Sequence, residues 1–190
     1  MDSASIAALL QESIAGAPGA PGIPGRHVES LPSIDLQATI AVSRDHLLMC
    51  ARALRERVDL DFACLIEITA ADFWPREPRF ELVYTLVSLS HKLRLRMKVR
   101  LPGDDARVAT VSGLWPAANW LEREVWDLFG IAFDGHPDPR RLLMPEDWDG
   151  YPLRKDYPVQ IRKTPTAAEP LQVTAEEFRA NVARDRLTRG

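Results

Sequence analysis

Strict alternation of apolar and cationic residues marks one segment of this chain above all others: Leu93, Leu95, Met97, Val99 and Leu101 take turns with Lys92, Arg94, Arg96, Lys98 and Arg100. A period of two places the apolar set on one face of a β-strand and the cations on the other. In the preceding segment Phe80, Leu82, Tyr84 and Leu86 alternate with Val83, Val87 and Leu89. Both faces are apolar there, which predicts a central strand. Residues 61–69, rich in Ile, Leu and Phe, predict a buried strand, and residues 39–42 a short one.

Helical spacing occurs three times. Ile6, Leu9, Leu10 and Ile14 span barely three turns, too few to be stable without a docking surface. Leu47, Leu48, Ala51, Leu54 and Val58 predict a helix capped by Ser43. A third helix is expected between Pro116, suited to a first helical position, and Gly130, suited to the left-handed residue that ends a helix. Its Leu121, Val125, Leu128 and Phe129 form a core side, while Trp120, Arg123, Glu124 and Asp127 share a charged, Trp-bearing side.

Helices interspersed among antiparallel-looking strands predict an α+β fold, a two-layer domain with helices packed on a mixed β-sheet. The expected organisation is a short helix and Gly/Pro linker over residues 1–32, a compact α+β domain over 33–135, and an extended partner-binding segment over 136–190. Gly16–Gly25 has glycine at every third place, but three triplets cannot sustain a collagen triple helix and the stretch reads as a linker. Near the C-terminus Thr174 and Glu177 have capping-box spacing before a weakly apolar helix, in a tail expected to order on a partner.

With 190 residues and 46% hydrophobic content the chain is long enough to bury a real core. Its net charge of −3 gives no overall attraction to nucleic acid or anionic lipid. The cationic strand face lacks stacking aromatics, so an acid-paired sheet face is expected there and no nucleic-acid role. No long apolar span is present. The opening residues lack the basic region of a secretory signal and the arginines of a mitochondrial presequence, so a cytoplasmic location is expected. Cys50 and Cys64 fall in apolar segments and read as buried thiols.

Candidate chemistry yields mostly exclusions. No CxxC spacing can hold an iron–sulfur cluster, and His27, His46, His91 and His136 are scattered without a zinc pattern. Neither a phosphate loop nor a dinucleotide fingerprint is present, so no cofactor or metal is expected on this chain. Glu124 and Asp127, one helical turn apart, have acid–base geometry, but without a pocket an Arg123–Asp127 ion pair is the simpler expectation.

The segment after Gly130 combines Pro137, Pro139, Pro145, Pro152 and Pro158 with many apolar groups, including Leu142, Leu143, Met144, Trp148, Leu153 and Tyr157. It is too interrupted for a long helix and too apolar for a free tail. Two readings stay open: it lies against another chain, or it folds back as a coil on its own domain.

From residue 122 the chain reads EREVWDLFGIAFDGHPDPRRLL. Glu122, Arg123, Glu124, Asp127, Leu128, Phe129, His136, Arg140, Leu142 and Leu143 together resemble the signature of the 30 kDa, or C-type, subunit family of respiratory complex I. The continuation MPEDWDGYPLRKDYP resembles the family as well, with weaker similarity back to about Thr39 and none before Ser33 or after about Lys163. The resemblance implies a non-catalytic, cofactor-free subunit of the peripheral arm of a proton-translocating NADH:quinone oxidoreductase, on the cytoplasmic side of a bacterial inner membrane. FMN and iron–sulfur clusters would sit in other subunits. Its partners would be the large quinone-site subunit and other peripheral-arm subunits, docked through Arg140, Arg141, Trp148, Tyr151, Arg154, Lys155 and Tyr157. The equivalent subunit of a related membrane-bound hydrogenase or other quinone reductase is the alternative.

Overall fold

The computed structural model describes residues 2–15 and 27–158, together with Glu176 and Arg179. The Gly16–Gly25 linker and the Thr174/Glu177 capping box lie outside the described residues. The chain divides at Tyr157/Pro158 into two units; of the second, Glu176 and Arg179 are helical and exposed.

Chain order in the first unit is α1 (Ser3–Ala15), β1 (Val28–Leu31), β2 (Ala38–Val42), a 3-10 turn (Arg44–His46), α2 (Leu47–Glu56), β3 (Cys64–Asp72), β4 (Phe80–Ser88), β5 (Leu93–Leu101), β6 (Arg107–Ala109), α3 (Ala118–Phe129) and β7 (Ala132–Asp134). Five strands form one mixed sheet in the order β1-β2-β5-β4-β3, with β2 parallel to β5 and the other pairs antiparallel. The parallel strands β6 and β7 make a second, two-stranded sheet. This is the α+β architecture that the alternation patterns predict.

Register explains the core. Ile40, Met97, Tyr84 and Ile68 stand in one row across four strands, and all are buried. The β5 cations lie on the opposite face, where Lys98 bonds Glu81 at 2.7 Å and Arg96 bonds Asp35 at 2.7 Å, with Arg100 3.6 Å from Glu81. Three of the five cations, Arg96, Lys98 and Arg100, are thus acid-paired, while Lys92 and Arg94 are exposed and form no ion pair among the described residues.

Several expectations change. α1 buries Ile6, Leu10 and Ile14 against β1 and α2, and β1 belongs to the main sheet, so the division at 32/33 cuts one core in two. The boundary at 135/136 likewise falls inside a unit that continues to Tyr157. Among the described residues β3 pairs with β4 alone, which makes it an edge strand, and its Ile66, Glu67 and Thr69 are exposed where a buried strand is expected. The Ser43 hydroxyl bonds His46 Nδ1 at 2.8 Å instead of a helix amide, and Val58 lies beyond the end of α2, exposed. Cys50 is buried in α2, with burial pushing its thiol up to about 12; Cys64 is half-buried on β3.

Candidate structural site: the signature helix and its strap

α3 ends where Gly130 turns left-handed, at φ 71°, and its amide closes on Trp126 O at 2.8 Å. Only glycine fits this position, since a Cβ there would collide with the Tyr151 ring and come within 2.6 Å of Arg154 Nη2. The chain then reverses through β7, and residues 136–157 return along α3.

The charged side of α3 is therefore covered, contrary to expectation. Glu122 and Asp127 are completely buried and Arg123 nearly so, while Trp120 stays exposed. Each buried charge has its own partners. Asp127 Oδ2 accepts three successive amides, Leu142 at 3.0 Å, Leu143 at 2.7 Å and Met144 at 2.8 Å. Its Oδ1 accepts from Arg141 Nη1 at 2.7 Å. Burial pushes the Asp127 carboxyl up, but the Met144 amide, Arg141 and the other two amides together hold it below its ordinary value.

Arg123 does not pair with Asp127. Its guanidinium donates to the carbonyls of Arg140 and Arg141, each at 3.0 Å, and approaches Asp138 at 3.4 Å. Arg123 reaches residues 138–141 of the strap and Asp127 residues 141–144. Most of these bonds are to backbone groups, which carry no mark in the sequence. This is why i,i+4 reasoning selects the wrong partner.

Further along, Arg141 Nη2 donates to the carbonyls of Trp148 at 2.9 Å and Gly150 at 3.2 Å. Arg154 donates to Phe129 O at 2.5 Å and Gly130 O at 3.3 Å, filling the carbonyl end of α3 with a cation, as the helix dipole favours. Its guanidinium lies 4.6 Å from the Tyr151 ring centroid and 5.3 Å from that of Phe80. Burial lowers the Arg154 pKa. The Leu153 amide reaches Leu128 O at 3.1 Å.

The strap is closed by a cluster that no sequence pattern announces. Arg79 Nη2 bonds Asp72 at 2.9 Å and Asp156 at 2.7 Å, and Asp72 also accepts the Lys155 amide at 2.8 Å. Burial raises the Asp72 carboxyl, but Arg79 and the Lys155 and Trp74 amides hold it at about 2. Asp72 and Asp156 lie far apart in sequence, and although Asp156 falls in the continuation that resembles the family, nothing in the sequence pairs it with Asp72 or Arg79.

The proposed docking residues thus fall into two groups. Arg141 and Arg154 are spent inside the chain, Tyr151 packs on Gly130, and the Tyr157 hydroxyl donates to Asp149 O at 3.1 Å. Trp148 is half-buried. Arg140 and Lys155 are exposed, Arg140 in a pair with Asp138 at 2.6 Å. Of the two readings of the segment, residues 136–157 take the coil folded on its own domain.

Glu122 faces the other way. Its oxygens accept the Val111 amide at 2.7 Å and the Thr110 hydroxyl at 2.5 Å, tying α3 to the end of β6. His136 Nε2 sits 3.8 Å away and donates to Asn119 O, while Nδ1 accepts the Asp138 amide. A small cavity of about 100 Å³ lies between Glu122, His136, Trp126 and Phe133. Burial raises the Glu122 carboxyl to about 7 against two lowering hydrogen bonds. The folded state then keeps this proton to about pH 7, whereas the unfolded chain releases it near the ordinary value of 4.5.

Between these values the folded state binds more protons, so this group's contribution to stability falls as pH rises, by on the order of 3 kcal/mol across the window. A Glu122→Gln variant keeps an acceptor for the Val111 amide and cannot ionise. Denaturant titrations are expected to show its stability flat across that window where the parent's declines. A decline of the same size in the variant would assign the effect elsewhere.

Glu124 and Asp127 do not form an acid–base pair, since both Asp127 oxygens are occupied. Among the described residues no group of three or more His, Cys, Asp or Glu side chains is placed to hold a metal, and no helix is long and apolar enough to cross a membrane.

Residues 40–163 match the family described as respiratory-chain NADH dehydrogenase, 30 Kd subunit. The C subunit of the NADH-quinone oxidoreductase of Geobacter sulfurreducens is 47% identical over 125 residues, covering 65% of this chain and 76% of that one. That of Azorhizobium caulinodans is 42% identical over 151 residues, covering 75% and 71%. Among solved structures, the trypsin-resistant fragment (1-134) of Nqo5 superposes with a TM-score of 0.51 at 33% identity, over 69% of this chain and 96% of that one. The membrane-bound sulfane sulfur reductase, an archaeal respiratory membrane complex, contains a chain with a TM-score of 0.63 at 29% identity, over 80% of this chain and 85% of that one.

Proposed function

This chain belongs to the 30 kDa subunit family of respiratory-chain NADH dehydrogenase, and we propose that it serves as a non-catalytic, cofactor-free subunit in the peripheral arm of a proton-translocating NADH:quinone oxidoreductase. In that role it supports assembly of the quinone-reducing module against the large quinone-site subunit, on the cytoplasmic side of the membrane. The observation that carries the non-catalytic part is the spending of the signature's buried charges. Arg123 and Asp127 saturate the strap, and Glu122 is tied to β6. Groups committed to fixed internal bonds hold a shape, and a rigid shape is what an assembly subunit supplies.

A second reading draws on the similarity to a chain of the sulfane sulfur reductase complex: the same domain would serve a related membrane-bound complex with a different electron acceptor. Purifying the tagged chain with its companions from native membranes separates the two. The isolated polypeptide is expected to show no visible absorption from flavin or iron–sulfur chromophores and to oxidise no NADH, because its sequence holds no ligand pattern for either. A stoichiometric flavin or cluster bound by this chain alone would overturn the cofactor-free assignment.

A further inference from the structure

One end of the main sheet carries an apolar surface that neither the core nor the strap uses. There the turn between β1 and β2 projects Ile34 and Leu36, with exposures of 104% and 94%, and the β4–β5 hairpin adds Leu89 at 69%. Isolated exposed aliphatics are ordinary, but these are grouped at one end of the sheet and two of them are held on a fixed turn. Asp35 accepts the Ser33 hydroxyl, the Gln37 amide at 3.2 Å and Arg96 Nη2 at 2.7 Å, while Leu36 takes a left-handed φ of 59°. A β-turn so constrained presents its side chains already ordered, which lowers the entropic cost of binding through them.

The turn and the hairpin face each other across a groove of about 740 Å³, whose walls include Asp35, Leu36, Gln37, Lys92, Leu93 and Arg94. Charge in the groove is unbalanced. Both carboxylates that border it are engaged, Asp35 with Arg96 and Asp2 with the Ser5 amide at 2.8 Å. Lys92 and Arg94 are exposed and form no ion pair among the described residues. An occupant that covers the aliphatic tips must therefore also bring negative charge.

We propose that this end of the sheet is the docking site for an acidic, aliphatic-bearing peptide segment of a neighbouring subunit, lying in the groove with its carboxylates on Lys92 and Arg94 and its apolar side chains against Leu36 and Ile34. The concavity favours an inserted segment over a flat lipid surface, and the net charge of −3 opposes recruitment to anionic lipid. The proposal rests on the reading of the chain as a subunit of a larger complex. The site is separate from the strap, so its loss leaves the fold intact.

A photo-crosslinking residue at position 34 (Ile34→benzoylphenylalanine) in the full chain, expressed in its native host and irradiated in the assembled complex, tests it. The expected product joins position 34 to an acidic segment of one other subunit. Lys92→Glu with Arg94→Glu is expected to lower its yield at least tenfold without shifting the thermal transition of the free chain. An adduct to phospholipid, an adduct to a second copy of this chain, no adduct from a chain that remains in the complex, or an unchanged yield in the charge-reversed variant each overturns the proposal and leaves the assignment to a larger complex standing. A chain that enters no complex overturns both.

Discussion

Replacing Asp127 by asparagine is expected to cost the domain on the order of 3–5 kcal/mol, because at this fully buried position it leaves the half-buried Arg141 guanidinium and a set of backbone amides facing a group that cannot satisfy them all. Asp127 is completely buried, and its Oδ2 is the common acceptor for the Leu142, Leu143 and Met144 amides. The asparagine side chain has one oxygen in place of two. If that oxygen keeps the amides, its NH2 group meets Arg141, a donor against donors; if it turns to Arg141, the NH2 meets three N–H groups. Either way the anchor of the strap is lost. With total stabilities of roughly 5–15 kcal/mol, such a loss is a large fraction of the whole. Chemical denaturation should show a lower midpoint, and limited proteolysis of the free chain should acquire new cuts between Pro139 and Pro152. An asparagine variant within about 1 kcal/mol of the parent, with an unchanged cleavage pattern, would mean that the strap is held by other contacts.

The second large effect separates two arginines that the sequence places in one class. Arg154→Glu puts a carboxylate against the Phe129 and Gly130 carbonyls, at the negative end of α3 and beside Asp72 and Asp156. The cation it removes also packs on Tyr151 and Phe80. An expected loss of about 2–4 kcal/mol follows from placing an unpaired carboxylate at this half-buried position. Arg140→Glu removes only an exposed pair with Asp138 and is expected to cost under about 1 kcal/mol. Thermal transitions of the two single variants check this directly, and equal shifts would contradict it. The isolated domain should thus tolerate charge reversal at Arg140 and fail to tolerate it at Arg154, so an assembly defect in Arg154→Glu reports a damaged fold rather than a lost contact. Lys155, with its side chain exposed and only its amide engaged among the described residues, remains with Arg140 as a candidate for direct docking.

The difference between what the sequence discloses and what it conceals is physical. β4, β5 and α3 are legible because burial on a sheet or helix face imposes a period, and Gly130 because a left-handed helix end demands it. α1 and β1 fall outside the expected domain because the Gly/Pro stretch following the helix reads as a boundary, although the apolar stripe of α1 correctly calls for a surface to dock on. The buried charge of α3 is hidden for a different reason. Polarity patterns assume that charged residues seek water, and Glu122, Arg123 and Asp127 are instead satisfied largely by backbone groups of other segments. Backbone amides and carbonyls are the same at every position, so no spacing announces them. Asp72, Arg79 and Asp156 form the remaining anchor, and a single sequence gives no reason to bring those three together.

The central claim, that this chain contributes shape and not chemistry, is tested most directly by titrating the strap while counting assembled complexes. The parent chain, Arg140→Glu, Arg154→Glu and Asp127→Asn would each replace the native copy in a host that depends on the oxidoreductase. Two quantities would then be measured: the amount of assembled complex in the membrane, and NADH:quinone turnover per assembled complex. A structural role predicts that the amount of complex falls in the order of the measured stability losses while turnover per complex stays constant. Full incorporation of Asp127→Asn with sharply reduced turnover per complex would contradict the account and place this side chain in the quinone chemistry itself.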